Sequence, residues 1–256
     1  VIFPDALRGL RIGCVQYLNS KPLIHGCAQE MFLAHPSELA RELAARRLDA
    51  ALVPVFEVLR DPHYVIADGV AIACDGPVYS VFLAHRGELE DIRRIALDPA
   101  SLTSVNLLRV LLAEFHGLEP EIANEGDARL LIGNQAIDFL EEIGRDSDWR
   151  ILDLGEEWRR CTGLPFVFAV WAIREDLPIL ADVAAAFRDL KRDGLASLDE
   201  IIANDRTATA KLRRKYLTHY IRFDLGLREK AGLQRYRELL IKHGRIPDTK
   251  TELRFS

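Results

Sequence analysis

Four short segments of the 256-residue sequence gather small hydrogen-bonding side chains, each beside an apolar run. Tyr17, Asn19 and Ser20 stand in YLNSKPL, directly after RIGCV, and Ser80 lies in GPVYSV. Ser101, Thr103 and Ser104 head the helical pattern SVNLLRVLL, and Gly133 and Asn134 close the run ARLLIGN. Hydroxyls beside free backbone N–H groups at a helix start form an anion site that the helix dipole strengthens. The same hydroxyls serve equally as plain N-caps, and Gly-Asn is an ordinary turn pair. Pattern alone leaves both readings open. The chemistry these groups suit is the holding of a small polar or anionic ligand.

Other residue types offer less. The seven histidines form no HxxxH or HxH pair, and His85 and His116 read as surface or strand-end residues. Glu156 and Glu157, just before Trp158, read as the solvated start of a helix. Cys14, Cys27, Cys74 and Cys161 are scattered without a CxxC spacing, and Cys14 and Cys74 lie in apolar runs that predict buried, reduced thiols. There is no GxSxG, P-loop, GxGxxG or zinc signature, so neither a nucleophilic triad nor a metal site is expected.

Composition bounds the remaining classes. An apolar content of 49% with 29% charged residues is that of an ordinary globular protein with a sizeable core. The formal charge of -5 is mild, and no basic stripe marks a nucleic-acid partner. Attraction of an anion must therefore come from local donors. VIFPDALRGLRIG lacks the continuous apolar stretch of a signal peptide, and no segment approaches a membrane span. The expectation is a cytoplasmic protein with no membrane partner.

The elements that must position these residues follow from the hydrophobic pattern. RIGCV, EMFLA and ALVPV read as short strands. Between the last two, PSELARELAARRLDA has helical spacing, with Ser37 placed to cap it. Strand and helix alternating at this spacing predict parallel βαβ units. Residues 64–86 then read as two extended segments joined through Asp75-Gly76-Pro77, and LPFVFAVWAIR as a long return strand. From Pro178 the pattern is helical, with Gly244 and Pro247 stopping the last helix. This order predicts two α/β lobes, residues 1–86 plus 173–256 and residues 87–172, joined by two crossing strands near 80–88 and 166–174. The loops at the carboxyl ends of the strands then face one another across a cleft, where a small ligand binds.

The quoted loops carry more than composition. RIGCVQYLNSKPL, LDAALVPVFEVL, VAIACDGPVYSVFL, ALDPASLTSVNLLRVLL, ARLLIGNQAI, LDLGEEW and TGLPFVFAVWAIR occur in that order. The series resembles the chorismate dehydratase family of the futalosine route to menaquinone, from about Arg11 to Arg174, with the C-terminal helices fitting in outline. The resemblance implies a two-lobed fold like that of type II periplasmic binding proteins, with an inter-domain cleft and two hinge strands that close around a ligand. It implies conversion of chorismate to 3-[(1-carboxyvinyl)oxy]benzoate and water, with no metal or organic cofactor.

By the same resemblance Asn19 is the first choice for a catalytically essential residue, orienting or polarising the substrate. Tyr17, Ser20, Ser80, Ser101, Thr103, Ser104, Gly133 and Asn134 are then the substrate-binding candidates. One departure matters: after LLIG the family more often has aspartate, and here Asn134 removes that charge. Lys21 reads as a surface lysine or an anion partner. The sister enzyme, dihydroxynaphthoate synthase, is disfavoured because its Pro-Asn-Asp loop near the start is lacking. The different-class alternative is a non-catalytic binding protein for a small carboxylate. Homodimerisation is left open.

Overall fold

The apolar runs become the strands of two mixed sheets in a computed structural model, which describes residues 3–61, 63–97, 102–143, 147–249 and 251–256. Strands β1 (Ile12–Cys14), β2 (Phe32–Leu33), β3 (Ala50–Pro54) and β4 (Tyr64–Cys74) open the first sheet. Strands β5 (Val81–His85), β6 (Arg94–Leu97), β7 (Glu121–Ala123), β8 (Ala128–Ile132) and β9 (Arg150–Asp153) make the second. β10 (Phe166–Arg174) and β11 (Arg254–Phe255) return to the first. The sheet orders are β11-β4-β10-β3-β1-β2 and β7-β6-β8-β5-β9.

β1 lies parallel to both β2 and β3, while the long β10 runs antiparallel between β3 and β4. Every residue of β3 is buried and nearly all of β10, which explains why both read as unbroken apolar runs: both faces are covered. The edge strands β2, β7 and β9 are short and partly exposed, which limits the unpaired backbone they offer.

Helices α1 (Lys21–Ile24), α2 (Pro36–Ala44) and α3 (Val55–Arg60) accompany the first strands. α4 (Leu102–Leu111), α5 (Gly133–Ile143) and α6 (Leu154–Thr162) accompany the second sheet. The C-terminal helices are α7 (Leu180–Ala196), α8 (Leu198–Asn204), α9 (Ala210–Lys215) and α10 (Leu227–Lys242). Two π-helical turns, Leu112–His116 and Tyr216–Tyr220, extend α4 and α9. Ser37 is not the cap of α2: His35 holds that position without a side-chain bond, and Pro36, whose φ is fixed for a helix and which has no N–H to satisfy, begins the helix.

The chain leaves the first sheet at the end of β4, crosses through residues 75–80 into β5, and returns from β9 through α6 into β10. α7 packs on the first sheet, where Phe187 stacks on Trp171 with ring centroids 4.0 Å apart. α10 touches both sheets' surroundings. Its Tyr236 packs edge-on against Phe166 of β10 and Trp158 of α6, and the phenol donates to the Thr103 carbonyl of α4 at 3.1 Å. At its end, Lys242 and His243 both reach Glu114 in the π-helical turn after α4.

The approach of α10 to Pro165 requires a glycine in the middle of the helix. A Cβ on Gly232 would stand 2.0 Å from the Pro165 carbonyl oxygen, a backbone atom that cannot swing aside. Alanine is the better helix former by about 1 kcal/mol, but the overpacking costs about 1–3 kcal/mol. The clash is expected to win: Gly232→Ala lowers the urea midpoint of unfolding with the slope unchanged.

Candidate active site

The carboxyl ends of β1, β3, β4 and β8 and the crossing chain at Val78–Val81 surround a cleft between the two sheets. It holds an enclosed volume of about 80 Å³ behind an open mouth. Its walls are mostly apolar: Val15, Leu52, Ile72, Val81, Ile132 and Phe168 among them. The polar groups on the lining come from Tyr17, Asn19, Ser80 and Ser104.

Three helix starts reach the same space. Pro36 at the first position of α2, Ser104 in the first turn of α4 and Gly133 at the head of α5 all line it. The described lining contains no Lys, Arg, His, Asp or Glu. Favourable potential for an anion therefore arises from helix dipoles and hydrogen-bond donors rather than from paired charges. Among the described residues no group of three His, Cys, Asp or Glu side chains could hold a metal ion.

Asn19 and Ser80 are joined through a residue that sequence reasoning missed. The Asn19 Nδ2 donates to the Tyr216 phenol oxygen at 3.1 Å, and that oxygen lies 2.7 Å from the Ser80 Oγ. Burial pushes the Tyr216 phenol up to about 12, so it stays a neutral hydroxyl at physiological pH. Tyr216 sits in the π-helical turn after α9, a deformation frequent at functional sites. It lies 197 residues from Asn19, so no local pattern could have joined them.

Backbone geometry fixes Ser80. The preceding Tyr79 has a φ of 66°, a strained value for a non-glycine residue, and its ring stacks on Tyr220 at 5.1 Å. Asp153 holds this turn: its carboxylate accepts from the backbone N–H of Val78 and Tyr79 and, at the start of α6, from those of Gly155 and Glu156. Burial nonetheless raises its pKa, and those four donors oppose the rise.

Gly133 faces Tyr17 across the cleft, and a Cβ there would meet the Tyr17 ring at 3.4 Å. Its φ of 61° independently favours glycine. Its N–H is already spent on the Ser80 carbonyl at 2.7 Å, so Gly133 offers shape rather than a donor.

The structure thus brings Tyr17, Asn19, Ser80, Ser104 and Gly133 together at the cleft. Three other candidates fall outside that lining. Ser20 is fully buried with its hydroxyl shared between the Val15 and Tyr17 carbonyls, so it braces the loop beneath Asn19. Thr103 is buried with its Oγ1 accepting from the Phe56 N–H, so it ties α4 to α3. Asn134 is not part of the cleft lining. Ser101 lies outside the described residues.

Lys21 is neither free nor a ligand for an anion, since it pairs with the buried Asp205. Glu157 is not solvated either. It is buried between His116 at 2.7 Å and Arg160, whose guanidinium holds its pKa down at about 2.

Comparison with known proteins adds to this geometry. The sequence model of a family described as menaquinone biosynthesis matches residues 10–242. The chain belongs to the menaquinone biosynthesis family. Over 91% of its length it is 33% identical to the chorismate dehydratase of Thermus thermophilus, covering 96% of that protein. It is 27% identical to the chorismate dehydratase of Campylobacter jejuni, over 86% of this chain and 88% of that one.

The fold of this family member is that of the periplasmic binding proteins. The aliphatic sulphonate binding protein of Escherichia coli superposes with a TM-score of 0.62 at 15% identity, over 93% of this chain and 88% of that one. A protein of Archaeoglobus fulgidus superposes with a TM-score of 0.75 at 18% identity, over 93% and 98%.

The Glu157 cluster generates a pH prediction. An acid whose folded pKa is depressed contributes stability above its unfolded value, here 4.5, and loses it as pH falls toward 2. Wild-type stability is expected to fall through that window, and Glu157→Gln to flatten this part of the curve, measured by urea unfolding at stepped pH.

Proposed function

We propose that the protein is a chorismate dehydratase, a carbon–oxygen lyase that converts chorismate to 3-[(1-carboxyvinyl)oxy]benzoate and water. The observation that carries the reading is that Asn19 and Ser80, both from segments resembling that family, are joined through Tyr216 in a cleft whose described lining has no Lys, Arg, His, Asp or Glu. Near-full-length identity to two chorismate dehydratases supports the same reading.

The reaction suits such a lining. The C3–H of chorismate is vinylogous to the ring carboxylate through the C1=C2 double bond. Its removal gives an extended enolate, and expulsion of the C4 hydroxyl makes the ring aromatic. Aromatisation drives the step, so the protein must mainly orient the substrate and stabilise charge as it shifts. Asn19 cannot serve as a base. In this proposal the base is the substrate's own enolpyruvyl carboxylate: it takes the C3 proton, the C–H electrons enter the ring, and the C4–O bond breaks. The proton passes to the departing oxygen, which leaves as water, so the atoms balance without a proton from the protein.

Tyr17 walls the site, while Ser80, Ser104 and the starts of α2, α4 and α5 hold the two carboxylates in this proposal. The four cysteines are all free thiols, which fits a reducing, cytoplasmic setting.

Purified protein incubated with chorismate, without added metal or cofactor, is expected to yield the enolpyruvyl-substituted benzoate by proton NMR. Asn19→Ala is expected to lower kcat by about 10²–10³-fold, the usual cost of losing one preorganised polar contact. Persistence of chorismate with the wild-type protein, or full turnover by Asn19→Ala, counts against the proposal.

A further inference from the structure

The hydrogen-bonded trio Asn19, Tyr216 and Ser80 has a direction as well as a shape. An amide nitrogen can only donate, so the Tyr216 oxygen is the acceptor in its bond to the Asn19 Nδ2. The phenol hydrogen, in a fully buried ring, then needs an acceptor of its own. Ser80 Oγ at 2.7 Å is the acceptor the described residues supply. Two capacities are left over. One is the hydrogen of the Ser80 hydroxyl. The other is the Asn19 Oδ1, a buried oxygen without a hydrogen-bond partner.

Leaving an acceptor dry is costly, and the cost is recovered when a ligand brings a donor. Three neutral groups in series also polarise one another, so a donor at the end of the chain is stronger than an isolated serine. Each member comes from a different part of the fold: the loop after β1, the crossing into β5 and the π-helical turn after α9. The arrangement therefore exists only once all three have packed.

We propose that Tyr216 is a positioning residue that sets the polarity of the cleft, presenting an acceptor at Asn19 and a donor at Ser80. The ligand it selects carries a hydroxyl to meet Asn19 and an acceptor oxygen, such as that of a carboxylate, to meet Ser80. The identity of that ligand rests on the chorismate reading. Chorismate carries its leaving hydroxyl at C4 beside carboxylate oxygens, whereas the aromatic product has lost the hydroxyl. Asn19 thus favours the substrate over the product, and the same contact orients the C4–O bond that breaks. The high phenol pKa keeps the chain neutral, so its polarity does not reverse with pH in the physiological range.

The test uses two probes that cannot react: 3-[(1-carboxyvinyl)oxy]benzoate and its 4-hydroxy derivative, which restores a hydroxyl at the carbon that bore the leaving group. Calorimetric titration of the wild type is expected to show the hydroxylated probe binding at least about tenfold tighter, the worth of one satisfied buried acceptor. In Tyr216→Phe the amide is free to turn, and the ratio is expected to fall to about one. kcat for chorismate is expected to drop about 10–100-fold, with KM changed far less.

Ser80→Ala gives a second route should Tyr216→Phe not fold. Without its acceptor the phenol turns to the Asn19 Oδ1, and the preference is again lost. Equal binding of both probes by the wild type overturns the proposal, because the amide then faces the cleft the other way. A Tyr216→Phe protein that weakens both probes alike shows a merely structural tyrosine and overturns it too. Chorismate turnover is measured on the same wild-type preparation. Its absence alongside an intact probe preference removes the chorismate reading and supports the polarity.

Discussion

The partly buried carboxylate of Asp153 gathers the backbone of two separate elements around a single point. It accepts from Val78 and Tyr79 in the crossing chain and from Gly155 and Glu156 at the start of α6. An ionised carboxylate has lone pairs for about four donors, and the four provided here offset part of its desolvation, which still raises its pKa. The consequence runs outward. Tyr79 is held in a strained left-handed conformation, Ser80 is turned into the cleft, and its carbonyl takes the N–H of Gly133 at the head of α5. The polar end of the site is therefore fixed by backbone bonds before any ligand arrives, which is the condition for electrostatic preorganisation.

The described lining of the cleft contains no cation, in a chain whose net charge is -5. The arrangement works through geometry. Three helix starts converge, each bringing the positive end of a dipole. Apolar walls such as Phe168 and Ile132 lower the local dielectric and strengthen those partial charges. A fixed lysine or arginine would bind substrate carboxylates as tightly before the reaction as during it, whereas oriented dipoles can be aimed where charge moves. The same fold in the sulphonate binding protein of Escherichia coli shows that the two-lobed frame is separable from the chemistry it hosts.

Much of the frame was legible. ALVPV and LPFVFAVWAIR announce doubly covered strands because burial on both faces removes the polar alternation of a half-exposed sheet. Asn19 and Ser80 could be nominated because they are small polar residues beside apolar runs, and the family resemblance then put Asn19 first. Ser20 and Thr103 share that position and chemistry, yet their hydroxyls serve the Val15, Tyr17 and Phe56 backbone instead. Nothing in a residue's type distinguishes a hydroxyl that faces a cleft from one that faces a carbonyl behind it. Glu157 misled for a similar reason: its place at a helix start suggests solvent, and only packing puts His116 against it.

The sequence by itself determined the order of strands and helices, the two-lobed frame and the family, since these follow from hydrophobic period, turn chemistry and ordered motifs read along the chain. Tertiary structure alone decided that Tyr216 stands between Asn19 and Ser80, that Asp153 sets the turn at Tyr79, and that α10 lies against Pro165 closely enough to require Gly232. The physical reason is one of range. Periodicity and capping act over a few residues, whereas a hydrogen bond between residues 197 apart forms only when both sheets and the C-terminal helices have brought their layers together.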